Sequence, residues 1–238
     1  MTRPDDDKSG QYAPTLSEEQ IQRIRRWHER AYTEGRAEGR GDQGFDYLGT
    51  RIVVPPGVMP ITPMSHLLGE AVVAEVAAGE RVLDMGTGSG VNAVLAAGRG
   101  ARGVAVDINP RALEAARANL DRNGLTGRFD VRHSDVFSHV AESFDLIVFD
   151  PPFRWFRPRD LFESASTDEG YRAMTAFFRQ ARQHLLPGGR MLIFFGTSGD
   201  LGYLQGLISE QGFSAEEVAQ DDLVRGDWRV EYFTFRVT

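Results

Sequence analysis

Two short stretches of this sequence hold residue types whose spacing suits chemistry. The first is VLDMGTGSG, from Val82 to Gly90: an apolar run, an acid, then three glycines at alternate positions. Gly86, Gly88 and Gly90 have no Cβ, so a ligand can approach the main chain there and at Thr87 between them. The spacing is G-x-G-x-G. A dinucleotide turn is G-x-G-x-x-G, and here Val91 holds the place of the third glycine. Asp84, two residues before the first glycine, opposes a pyrophosphate and favours a cationic ligand. A tight turn without any ligand is the plain alternative.

S-adenosylmethionine meets these demands, since it carries an ammonium, a sulfonium and one carboxylate. Farther along, VAVDINP ends in Asp107, about 20 residues past the glycines, where an acid can accept both ribose hydroxyls. Ile108 beside it can cover an adenine face. Asn109-Pro110 also reads as a helix cap, which leaves a purely structural role for this acid open. In FDVRHSDVF, Asp135 can accept the adenine exocyclic amine, with Val136 next to it; an exposed loop Asp is the alternative.

The second stretch is FDLIVFDPPFRWF. Asp150-Pro151-Pro152-Phe153 is a stiff turn, because each proline ring fixes φ. The Asp150 carboxylate and the Pro151 carbonyl are acceptors for N–H groups, and Phe153 offers a flat face. Such a set suits a planar nitrogen whose delocalised lone pair must be made to attack. Positioning and preorganised acceptors would do this without a strong base. Pro152, Trp155 and Phe156 are candidates for the substrate wall. Arg154, Arg157 and Arg159 among them can meet a carboxylate or phosphate, or simply belong to a surface loop.

Elements must bring the two stretches together. From Arg81 onward, apolar runs RVLDM, GVAVDI, FDLIVFD and GRMLIFFG alternate with helical stretches such as PRALEAARANLDRNG. This alternation predicts an α/β fold, a parallel sheet with helices on both faces. Both chemical stretches then fall at the carboxyl ends of strands, where open sheets bind ligands. The tail, GFSAEEVAQ and DWRVEYFTFRVT, predicts a closing antiparallel hairpin. Upstream, residues 1–15 are polar and expected to be unstructured. Residues 16–60 read as an amphipathic helix and a hairpin with a proline-rich link, and Thr62-Pro63 reads as the start of a further helix. The catalytic domain is expected over residues 61–238.

Composition sets the outer limits. The chain has 238 residues, a net charge of -7 and no cysteine. Disulfides, thiolate metal sites and a cysteine nucleophile are excluded, and a reducing cytoplasm is the expected location. The acidic balance argues against a broad nucleic-acid footprint. No apolar run nears the roughly 18 residues needed to cross a bilayer, so no membrane partner is expected. The five histidines lack ligand spacing, so no metal is expected. Oligomeric state is unreadable.

VLDMGTGSG, VAVDINP, SDVF and DPPF, in this order and spacing, resemble the class I S-adenosylmethionine-dependent methyltransferases. The DPPF element is similar to the (D/N)-P-P-(F/Y/W) element of the amino-methyltransferase branch, which includes release-factor glutamine, adenine-N6 and ribosomal-RNA guanine-N2 methyltransferases. The resemblance implies a Rossmann-like seven-stranded sheet in order 3-2-1-4-5-7-6 with the last strand antiparallel. It implies S-adenosylmethionine as cofactor: the glycines at its methionine part, Asp84 near its ammonium, Asp107 at the ribose, Ile108 and Asp135 at the adenine. Asp150, Pro151 and Phe153 would hold the acceptor nitrogen. The glutamine enzymes have Asn-Pro-Pro-Tyr; an Asp offers acceptors only, which favours an exocyclic amine over an amide. The acidic balance, the compact N-terminal region and the aromatic run after DPPF make a small-molecule substrate the first expectation; an RNA nucleobase or a protein glutamine is the alternative, with a carbon or oxygen acceptor behind both.

Overall fold

The computed structural model describes residues 12–38, 41–226 and 228–238. The stretch expected to be unstructured falls largely on residues 1–11, outside the described residues. Residues 12–15 are packed instead. The Tyr12 ring meets Tyr171 and Tyr203 edge-on at 4.9 Å each, and its hydroxyl donates to Asp200 at 2.8 Å. A single large aromatic with a buried acceptor to reach is enough to anchor this polar segment.

Helix α1 (Glu18–Glu38) follows. Ile24 and His28, one turn apart, are buried. Its partner is an irregular segment, not a sheet. Trp27 lies under the Arg154 guanidinium at 4.4 Å, His28 Nε2 meets Glu163 Oε1 at 2.7 Å, and Tyr32 donates to Asp160 at 2.8 Å.

Strands β1 (Gln43–Tyr47) and β2 (Thr50–Val54) form the expected hairpin. Its turn residues, Leu48 and Gly49, both have left-handed φ, +46° and +79°, which is the geometry that matches strand twist in a two-residue turn. After a link, helix α2 (His66–Glu75) begins one turn later than Thr62-Pro63 suggests. The Ser65 hydroxyl accepts from Thr62 N–H at 3.0 Å, closing a separate turn ahead of it.

The main sheet then builds up. It comprises β3 (Arg81–Met85), β4 (Arg102–Asp107), β5 (Phe129–His133), β6 (Phe144–Phe149), β7 (Leu185–Gly196), β8 (Ala215–Arg225) and β9 (Trp228–Val237). Helices α3 (Val91–Gly98), α4 (Pro110–Arg122), α5 (Arg172–Ala181) and α6 (Leu201–Glu210) connect them. The order is β5-β4-β3-β6-β7-β9-β8, with β9 antiparallel to both neighbours. Numbered within the sheet, that is 3-2-1-4-5-7-6, as the resemblance implies. Helix α6 was not legible in the sequence; it separates β7 from the terminal hairpin.

Strands β3 and β6 lie side by side at the centre, and Val82, Leu83, Leu146, Ile147 and Val148 are fully buried. This explains their unbroken apolar runs. Helix α3 packs against both α2 and α4, and α5 packs on α6.

Two asparagines fasten the β1–β2 hairpin to this body. Asn119 on α4 and Asn123, which caps its carboxyl end, stand one turn apart. The Asn119 amide accepts from Val53 N–H at 2.9 Å and donates to Val53 C=O at 2.8 Å. Asn123 repeats the exchange with Arg51 at 3.1 and 2.9 Å. Residues i and i+2 of a strand are spaced about as far apart as i and i+4 of a helix. The two amides therefore stand in for a neighbouring strand.

Candidate active site

The turn from β3 into α3 holds three left-handed glycines, Gly86, Gly88 and Gly90, at φ +66°, +54° and +81°. Gly90 is under two constraints, since a Cβ there would lie 2.7 Å from the Ala116 main chain of α4. It does not line the cleft beside it; its smallness lets α3 and α4 close up.

Asp84 differs from expectation. It is fully buried beneath the turn and does not line the cleft. Its Oδ2 accepts from the Thr87 hydroxyl at 2.6 Å and from Ala93 N–H at 3.1 Å. Ala93 is the third residue of α3, so the acid caps the helix from the preceding strand. Burial pushes its carboxyl up, to about 6, against the pull of these two bonds. The acid that stands out in the sequence shapes the turn from below.

Asp107 reaches the cleft from the end of β4. One oxygen accepts from Gly88 N–H at 2.9 Å and the other from Asn109 N–H at 2.8 Å. The acid thus ties the tips of β3 and β4 together. Each carboxylate oxygen keeps a further lone pair for a diol. Burial raises this carboxyl as well, against the pull of the two amides. Asn109 caps α4 through Arg111 N–H at 3.0 Å, as its sequence context suggests.

The cleft encloses about 1170 Å³ of empty space, its open mouth included. Gly86, Thr87 and Gly88 line it from one strand tip, Asp107 and Ile108 from the next. Asp135 and Val136 follow from β5, and Asp150 and Pro152 from β6. Val136 adopts a left-handed φ of +49°, and its carbonyl accepts from the Ser134 hydroxyl at 2.7 Å. Sequence reasoning missed the far wall: Met59 and Ile61 of the proline-rich link, and Leu161, Ser164, Ala165 and Ala173 beyond the Asp150 turn. Their types carry no chemical signal; only the fold brings them here.

Asp150 faces the cleft and is exposed to water through it. Protein atoms nonetheless surround it, and this burial, with Asp84 nearby, pushes its carboxyl up to about 7, against the pull of Arg154. Water in the open cleft relieves part of that rise, so its full extent belongs to the filled cleft.

The rest of the second stretch points elsewhere. Pro151 is buried and does not line the cleft. The Phe153 ring packs into the core against Phe195 at 4.9 Å and Phe194 at 5.6 Å, so it is not a free stacking face. Trp155 and Phe156 line a separate hollow with Arg25 and Arg157. Arg154 is buried, and burial lowers its guanidinium to about 10. For Phe153, Arg154, Trp155 and Phe156, aromatic packing set the direction that spacing alone could not give.

These strand tips can hold S-adenosylmethionine. The exposed face of Ile108, the Asp107 oxygens and the side-chain-free glycines supply an apolar platform, a diol acceptor and close main-chain approach. The family model described as "Methyltransferase small domain" matches residues 60–221. The chain is 33% identical over 190 residues to the release factor glutamine methyltransferase of Cereibacter sphaeroides. That match covers 74% of this chain and 66% of the relative. It is 37% identical over 116 residues to the ribosomal RNA small subunit methyltransferase C of Chromohalobacter salexigens, covering 49% of this chain and 31% of the relative. The chain thus spans about two thirds and about one third of these relatives' lengths. Among solved structures, the ribosomal protein L11 methylase of Lactobacillus delbrueckii subsp. bulgaricus shares the fold, with a TM-score of 0.56 at 20% identity, over 76% of this chain and 82% of that one. The chain belongs to the methyltransferase small domain family and is a class I methyltransferase with S-adenosylmethionine as its cofactor.

Proposed function

We propose that this enzyme methylates the side-chain amide nitrogen of a glutamine in a protein. The observation that carries this reading is the charge and polarity of the cleft. Asp107, Asp135 and Asp150 are its charged lining residues among those described, and no lysine or arginine lines it. A nucleic-acid substrate brings phosphates that need cations. The mouth is instead marked by exposed apolar side chains away from the nucleoside platform: Met59 at 39% and Leu161 at 54% exposure. Such a rim suits a protein segment. The glutamine-methylating relative also aligns over a larger share of this chain than the ribosomal-RNA one. The small-molecule substrate expected from the sequence gives way here, since both relatives are named for macromolecular substrates.

Asp107 and Ile108 would hold the nucleoside, and Gly86 and Gly88 its amino-acid end. When bound, S-adenosylmethionine supplies a sulfonium methyl that passes to a nitrogen lone pair, leaving a neutral thioether while the nitrogen sheds its proton to water. Asp150 and Pro152 would position the incoming amide. The Asp-for-Asn departure is compatible with an amide. A carboxyl pushed up to about 7 is partly protonated near neutrality, and its acid form offers one donor and one acceptor, like an asparagine. The ionised form offers acceptors only, which is the observation favouring an exocyclic amine of RNA as the second reading.

The test is incubation with methyl-labelled cofactor, a ribosomal and translation-factor protein fraction, total RNA and a metabolite pool. Label in protein, recovered as methylglutamine after exhaustive protease digestion and as methylamine after acid hydrolysis, is the expected result. Label that is lost to nuclease, or found only in small molecules, overturns it.

A further inference from the structure

Phe153 contributes its carbonyl rather than its ring, and the partner of that carbonyl lies far away in sequence. The Tyr171 hydroxyl donates to Phe153 C=O and accepts from Asp200 N–H, the latter at 2.8 Å. Tyr171 is fully buried and held at a left-handed φ of +51°. Gly199 packs against the same carbonyl, since a Cβ there would lie 2.2 Å from it. The Asp200 carboxylate is in turn fully occupied. It accepts from Tyr12 hydroxyl and Thr15 N–H, each at 2.8 Å, from Tyr203 N–H at 3.1 Å, and from the Thr15 hydroxyl. Asp200 itself is fully buried.

We propose that Tyr171 is a positioning residue for the Asp150–Phe153 turn, and that residues 12–15 set its hydroxyl by clamping Asp200. The reasoning is mechanical. Between Asp150 and Phe153 stand two prolines, whose rings remove two of the soft torsions that could absorb a displacement. A shift of the Phe153 carbonyl therefore reaches Asp150. The residues beyond are pinned as well: Arg154 N–H donates to Ser166 C=O at 3.2 Å, and Gly170 N–H donates to Trp155 C=O at 3.0 Å. The remaining freedom of the turn lies at Phe153, and the Tyr171 hydroxyl holds it. Tyr12 seals this arrangement. Its ring covers Tyr171 edge-on, while Tyr203 stacks on Tyr171 at 5.3 Å. Catalytic competence thereby depends on a segment more than 130 residues from Asp150 in sequence.

This inference rests on the reading that Asp150 positions the acceptor, and its test separates the two. Tyr171→Phe keeps the ring and removes the hydroxyl; Tyr12→Phe removes only the outer bond to Asp200. Both are compared with the wild type for amide exchange over residues 153–155, for calorimetric affinity for S-adenosylhomocysteine, and for transfer of label to the protein fraction. Expected are faster exchange in both variants, an unchanged cofactor affinity and a turnover lowered about tenfold or more in Tyr171→Phe. Tyr12→Phe should show a smaller loss, with KM for the acceptor little altered in either. Unchanged exchange overturns the proposal. So does unchanged turnover, or a cofactor affinity that falls in step with turnover, the mark of general loosening. If the wild type labels no protein, the proposed function fails on its own, and the exchange measurement still decides the role of Tyr171.

Discussion

Asp150 is the cleft-facing polar group of its turn, and Asp84 is the acid beneath it. On the proposed role of Asp150 in positioning the incoming nitrogen, Asp150→Ala should lower kcat about 100-fold or more. Affinity for S-adenosylhomocysteine should stay within a few-fold, as calorimetry beside single-turnover kinetics will show. The same two acids set a pH dependence. Their folded pKa values, about 7 and about 6, lie above the unfolded value of 3.8. Through these two groups the folded state binds more protons than the unfolded chain above pH 4, so their contribution to stability falls as pH rises, while buried His28, whose imidazole is held below its ordinary value, works the other way. Thermal unfolding followed from pH 5 to 7.5 should lose stability with rising pH more steeply in the wild type than in Asp150→Asn, the difference being the contribution of Asp150. At this scale residue type and strand position were enough to place Asp107, Ile108, Asp135 and Asp150 at the cleft. Direction that depends on packing was not legible. Nothing in Asp84's type reveals that its oxygen is taken by Thr87 and Ala93, and nothing in Phe153's reveals that its ring turns into the core.

The strand-to-helix turns and the hairpin are built to fixed spacings. Gly90→Ala places a methyl against the Ala116 main chain and strains a left-handed residue. The expected cost is roughly 2–4 kcal/mol, read by chemical denaturation, with weaker cofactor binding as α3 shifts. Asn119→Ala strips partners from both polar groups of Val53 and from the Ser89 carbonyl. A loss of about 1–3 kcal/mol is expected, with faster amide exchange over Thr50–Val54, whereas Asn119→Asp should recover only the accepting half. The central strands were legible because buried parallel strands must be continuous apolar runs, whereas their order was available only through the family resemblance. The late start of α2, the existence of α6 and the asparagine ladder were not legible. The ladder pairs residues 66 and 72 apart, and no local pattern encodes such a contact.

Across the whole molecule, the amino-terminal segment and α1 serve the cleft from behind. Tyr12 and Thr15 reach Asp200, while Trp27, His28 and Tyr32 grip the segment that carries Leu161, Ser164 and Ala165 to the far wall of the cleft. The seven-stranded body follows the family pattern, and these attachments are what shape that far wall. Every role assigned to the site presupposes that the nucleoside lies across the strand tips with its ribose on Asp107. Calorimetric titration of S-adenosylhomocysteine into the wild type and into Asp107→Ala tests this directly. Two lost charge-assisted bonds should weaken binding by about tenfold to several hundredfold, with the folded state intact by circular dichroism. Equal affinity in the two proteins, or no heat of binding in the wild type, would contradict the account at its root.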